Sequence, residues 1–457
     1  MTVTYPIVRF IFADNVTLEF SKEQIVRAAL VDEINGVSIE MPISELDLKL
    51  AVTDDSFSMF SGSSYTMLTE RLPMLVYESV DASVRLLGKF YLDTWKNTAE
   101  RNMEFKAKDI IGVLEDTDFD GAFWENATTL TTILDQILSP INVSYELDAS
   151  LVAVTLKGWI PAGTYRNALQ QICFAAGAIA TASGRETLLI SPISLPSLLP
   201  DATLGSEDKI RKSEIELLPL ISRIELMAHN YIQGLVAETI FDKYLEIGNY
   251  KIVFDQPYTG IAVVGSGYTQ FVLGTEGGDY IATEFGDYIE AGGEFNAGSN
   301  SLYLTVAVAG QVTITGYPWT DNKQSFIFTE TGVVDAQNKN VLVISDATLV
   351  NLSNGQTILD QLRDYFRQRY FQKVTVLPTT LKKNDIVLSS TLYSNQILAA
   401  IQRMETDLTK GFLSKLFLRG IVPVYVPPAL SPTRRARSGI AISGADLTRN
   451  NLWRQYA

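Results

Sequence analysis

Cysteine and histidine are nearly missing from this chain. Its 457 residues include one cysteine, Cys173, and one histidine, His229. A single thiol excludes an intramolecular disulfide framework and any cysteine-rich zinc site. A single imidazole leaves no histidine pair for zinc peptidase chemistry. No apolar run approaches the roughly 20 residues a membrane helix needs. The opening MTVTYPIVRFIFAD lacks a basic leader followed by an apolar core and a small-residue cleavage site. The expectation is a protein with no membrane-spanning segment, assembled in a cytoplasm. Also absent are a Gly-x-x-x-x-Gly-Lys-Ser/Thr loop, a dinucleotide fingerprint and a Gly-x-Ser-x-Gly elbow. His229 lies in IELMAHNY and reads as a polar strand end, and Cys173 lies in the apolar helical run ALQQICFAAGAIA and reads as a buried core thiol. No catalytic residue, resident metal or cofactor is expected.

Positive charge is scarce as well. Lys and Arg number 37 against 52 acids, a net charge of −15, which argues against a nucleic-acid-binding surface over most of the chain. The exception is 427–457, where Arg434, Arg435, Arg437, Arg449 and Arg454 outweigh Asp446. A basic tail with Pro and Ser is usually flexible, and the sharper reading is that Arg434, Arg435 and Arg437 dock on an acidic partner.

What is present is apolar content of 46% with 10% aromatics, ample for packed cores, on a length that calls for several domains. Residues 1–115 read as short half-buried strands at Ile25 to Leu30, Ser38 to Met41, and Leu46 to Val52, with another from Arg71 to Tyr77 whose Pro73 belongs at its start. GKFYLDTWKN and MEFKAKDIIGVLEDTDFDG, either side of a polar turn, read as a β-hairpin. A small antiparallel barrel is the natural closure for so many short strands. Residues 116–200 read as a small α+β domain. In it, Leu130, Ile133, Leu134, Ile137 and Leu138 share a helix face ended by Ser139-Pro140, and a second helix spans about Thr164 to Ala176. Residues 201–350 read as a β-rich insert, in which Gly-Asp-Tyr-Ile occurs at 278–281 and 286–289 as two hairpin arms. Residues 351–425 open with an amphipathic helix and continue in strands, and 426–457 form the basic tail.

Asp116-Thr117-Asp118-Phe119-Asp120-Gly121 matches the D-x-D-x-D-G opening of an EF-hand calcium loop. The twelfth position, where a bidentate acid belongs, is Ala127, and Glu125 falls two residues early. A strand is expected before the loop, where an EF-hand has a helix. The expectation is a solvated junction whose acids favour the N-terminus of the following helix. Asp116, Asp118 and Asp120 are the calcium candidates weighed against it.

Gly88 to Asn97, Glu104 to Gly121, and Lys157 to Ile172 resemble bacteriophage tail hub proteins, a family of two-barrel trimeric adaptors related to contractile injection system hubs. Asn384-Asp385-Ile386-Val387 and Thr406 to Phe412 resemble the second barrel of that family. There, glycines are usual where this chain has Asn384 and Lys410, and both positions are open to positive φ. The resemblance implies a β-rich α+β multidomain fold, with two small antiparallel β-barrels separated by an α+β domain and a β-rich insert. It implies a homotrimeric hub at the virion tail tip or baseplate, adapting a sixfold tail tube or distal-tail ring to a threefold tip around a channel for DNA ejection. Implied partners are other copies of itself, the distal tail or tail tube protein, the tape measure protein C-terminus, and tip or receptor-binding proteins, with DNA only in transit. The alternative is a cell-wall hydrolase or carbohydrate binder using residues 201–350, whose Tyr268, Phe271, Tyr280, Phe285, Tyr288 and Trp319 would stack on sugars.

Overall fold

Alternation of apolar and polar residues over the first hundred positions folds as antiparallel strands: β1 (Thr4–Ile11), β2 (Thr17–Ser21), β3 (Ile25–Glu33), β4 (Glu45–Ala51), β5 (Pro73–Val80), β6 (Ser83–Ala99) and β7 (Asn102–Lys108). The computed structural model describes residues 4–423 apart from 14–15, 36, 39, 53–56, 58–63, 81–82, 100, 197–198, 211–212, 266–270, 275–279, 282–299, 307–308, 333–339, 378 and 392–394.

These strands run in the order β3-β4-β7-β6-β5-β1-β2 over one core. Phe10 anchors it, edge-on to Phe105 at 5.2 Å and to Phe20 at 5.8 Å. The hairpin read at Gly88 onward is β6 paired with β7, Trp95 facing Phe105. Its second arm stops at Lys108. Asp109 then accepts the Gly112 N–H at 3.1 Å and caps a short helix, α1 (Ile110–Glu115), where the sequence reading continued a strand. Among the described residues no strand forms between Ser38 and Met41 either. The Met41 carbonyl is taken by Arg166 Nε at 2.7 Å and the Ser38 carbonyl by Gln170, so these acceptors serve side chains and not a ladder.

The last third of the chain forms strands Tyr370–Val376, Ile386–Ser390, Gln396–Asp407 and Leu413–Ile421 over a second core that includes Val374, Val387, Ile401 and Leu416. The expected pair of closed barrels is corrected here. Among the described residues both strand sets belong to one 13-stranded sheet, with Glu214–Leu217 at one end and β2 at the other, and no ladder closes either set. The reason lies in Gln396–Asp407. Its first half pairs with Ile386–Ser390, and beyond an irregularity between Ile401 and Arg403 its second half pairs with β3, Glu33 facing Arg403 and Ala29 facing Asp407. The backbone that would close one lobe is used to join the other. The turn after this strand sends Leu408 and Phe412 into the core of the first lobe. Asn384 does adopt positive φ (72°), whereas Lys410 does not, because Gly411 (74°) and Phe412 (57°) make the left-handed turn.

Between the lobes, α2 (Leu130–Leu138), α3 (Tyr165–Ala176) and α4 (Gly355–Phe366) bury their apolar faces in a shared core. Thr164 caps α3 through the Asn167 N–H at 3.2 Å, and Gly177 ends it at φ 65°. The same core takes Ile224 and Leu226 from strand Arg223–Ala228, which pairs antiparallel with Gln324–Thr329 and parallel with Val341–Ile344. The long strand Gly310–Asp321 organises the insert by pairing with Tyr231–Gln233, Glu238–Leu245 and Tyr258–Gly265. In the first Gly-Asp-Tyr-Ile copy, Tyr280–Ile281 is a hairpin arm against Phe271–Gly274; the second copy lies outside the described residues.

Candidate functional site at the lobe junction

A buried charge network sits where the two lobes and the helical region meet. β3 places Asp32 in the inward phase of its alternation, with Ala28 and Leu30. Lys383 comes from the turn before Ile386–Ser390, and its ammonium pairs with Asp32; the two side chains are 1% and 2% exposed. Lys383 Nζ also donates to the Glu33 carbonyl and the Ser44 hydroxyl, each at 3.2 Å, so its three donors are all used. Asp32 accepts the Ser44 hydroxyl at 2.6 Å and the Ser183 hydroxyl from the hairpin of the helical region. Both serines donate to a carboxylate that is already paired, which leaves neither poised as a nucleophile. The network fixes relative position: one ammonium ties the second lobe to two segments of the first.

Asp109 lies beside it. Its carboxyl is pushed from the ordinary 3.8 up to about 6, chiefly by burial, against the pull of Lys383 and the Gly112 N–H. One of its oxygens has no hydrogen-bond partner among the described residues. The folded chain keeps this proton up to about pH 6, while the unfolded chain releases it near the ordinary value. The stability this contributes is present at low pH and is lost as pH rises through 6, on the order of 1–3 kcal/mol. Asp109→Asn keeps the helix cap. Urea unfolding is expected to find it as stable as the wild type near pH 4 and more stable at neutral pH. A constant difference across that range would contradict the assignment.

The acidic loop binds a cation that the chain itself supplies. Lys251 Nζ lies 2.7 Å from Asp120 and 4.0 Å from Asp118, and Tyr303 donates its hydroxyl to Asp120 at 2.7 Å. Arg71 donates to the Asp116 carbonyl at 3.0 Å. Among the described residues, no three acidic, histidine or cysteine side chains converge as metal ligands. The element before the loop is α1 and the one after Gly121 is strand Ala122–Thr129, so the expected strand–loop–helix order is reversed and no helix N-terminus receives these acids. Gly121 is needed at φ 87°, where a Cβ would collide with the Asn300 side chain.

Other candidates fall in packed surroundings. His229 is buried, its ring nitrogens 2.7 Å from Asp321 and 3.2 Å from the Ser345 carbonyl. Burial pushes the Cys173 thiol up to about 12, so no thiolate forms there at neutral pH. Trp319 is 8% exposed with its ring 4.8 Å from Phe123, which leaves no face for a sugar. Phe271 and Tyr280 stand on paired strands, while Tyr268, Phe285, Tyr288, Arg434, Arg435 and Arg437 lie outside the described residues. Sequence reading passed over Asp32, Asp109 and Lys383. For Asp32 the signal was there: a charged residue on the apolar phase of a strand.

Among solved structures the chain is similar to phage tail proteins. The tail protein from Neisseria meningitidis MC58 is 12% identical, over 91% of this chain and 96% of that one, with a TM-score of 0.49. A prophage tail protein from Listeria monocytogenes EGD-e is 11% identical over 92% and 95%, with a TM-score of 0.48. The 43 kDa tail protein of prophage MuSo2 from Shewanella oneidensis is 10% identical over 91% and 98%, with a TM-score of 0.49. No protein-family model matches the sequence, and no curated protein matches it significantly.

Proposed function

We propose that this chain is a structural hub of a bacteriophage tail tip or baseplate. Three copies form a ring around a channel, adapting a sixfold tail tube or distal-tail ring to a threefold tip. The observation that carries the reading is the joined pair of strand lobes. One polypeptide holds two lobes in fixed relation through the β3 ladder with Gln396–Asp407 and the Lys383–Asp32 pair. A threefold ring can satisfy a sixfold neighbour when each chain offers two comparable surfaces. In this reading the acidic excess partly lines the channel and keeps passing DNA from adhering. The arginines of 427–457 dock on a neighbouring copy or partner, and the tape measure C-terminus and tip proteins meet the ring at its ends. The role is assembly without catalysis. Electron micrographs of the purified full-length protein, averaged along the ring axis, are expected to show six lobes about a central opening. Particles with no axial opening, together with release of fragments from purified peptidoglycan, would favour the hydrolase reading.

A further inference from the structure

The strand register gathers positive charge on the outward face of the first lobe. Side chains of β3, β4, β7 and β6 line a cleft of about 620 Å³, bordered by the turn carrying Asp407 and Lys410. Across it Arg27 faces Lys49, Lys49 faces Glu104, and Glu104 faces Lys96. In the next row Lys106 stands opposite Asp47. Glu104 is shared by two lysines, at 3.1 Å to Lys49 and 3.2 Å to Lys96, which hold its carboxyl below the usual range. Asp407 takes Lys410 at 3.1 Å. Among the described residues neither Arg27 nor Lys106 has an ion-pair partner, and both are exposed. Like charges directly opposite on a sheet destabilise it. Glu104 offsets part of the Arg27–Lys49 repulsion, and an incoming carboxylate would relieve the rest.

We propose that this cleft docks an extended acidic segment of a partner protein, with its carboxylates between Arg27, Lys49, Lys96 and Lys106. Spacing favours a peptide. Lys49 and Lys96 stand two strands apart, about 10 Å, and carboxylates on one face of an extended chain recur about every 7 Å, within reach of flexible lysines. Charge favours protein over nucleic acid, because the −15 chain repels a long phosphate backbone on either side of so local a patch.

Calorimetric titration of the full chain with a hexaglutamate peptide tests it. One saturable site is expected, weakening about tenfold or more between about 50 and 300 mM NaCl. The exposed double variant Arg27→Gln/Lys106→Gln should lose about tenfold or more in affinity at an unchanged thermal midpoint. Should that variant unfold early, Lys96→Gln gives the same reading. No saturable binding, or binding that these variants leave unchanged, would overturn the proposal. So would a hexathymidylate oligonucleotide or tripolyphosphate binding as tightly as the peptide, since the cleft would then recognise phosphate.

Discussion

Replacing Lys383 with methionine is expected to destabilise the chain by about 3–5 kcal/mol. Methionine matches the length of the lysine stem, so the loss is electrical and not a cavity. Asp32 would stay buried with no counter-charge, keeping only the Ser44 and Ser183 hydroxyls as donors. Replacing both partners, as Lys383→Met/Asp32→Asn, should recover much of the loss, because a neutral buried pair costs far less than one stranded ion. Urea unfolding at neutral pH checks both. A single-variant loss below about 1 kcal/mol would mean that the ammonium does not serve as the carboxylate's partner.

The second large effect belongs to Phe412. Its ring comes from the turn of one lobe and fills the core of the other, beside Leu408. Phe412→Ala is expected to cost about 3–5 kcal/mol, the usual range for emptying a buried aromatic site. Phe412 also holds a left-handed backbone, φ 57°, that costs a non-glycine residue about 1–2 kcal/mol. That cost persists with alanine, and Phe412→Gly would recover only this part. The sequence therefore accepts local strain to seat the ring. Denaturant midpoints for the two variants give the test. An alanine loss within about 0.5 kcal/mol, typical of surface sites, would mean that the turn is not a plug.

Local signals were readable and distant pairings were not. The hairpin of β6 and β7, the strand starting at Pro73, the five-residue face of α2 and the helix from about Thr164 to Ala176 all follow from spacing and turn chemistry within a few residues. Their legibility rests on contacts between near neighbours. The joining of the lobes does not: Glu33 meets Arg403 across most of the chain, and no periodicity in either strand announces the other. The same holds for Lys251 reaching the acidic loop and for Lys383 reaching Asp32. Helix α1 was missed for another reason. Its six residues, IIGVLE, are β-branched enough to pass as strand, and only Asp109 as a cap marked the change.

Sedimentation equilibrium of the full-length protein is the most direct test of the central claim, that two joined lobes per chain exist to complete a threefold ring. The account predicts a particle of three copies, each of 50.5 kDa, persisting on dilution. A chain that sediments as one copy at every concentration would contradict it.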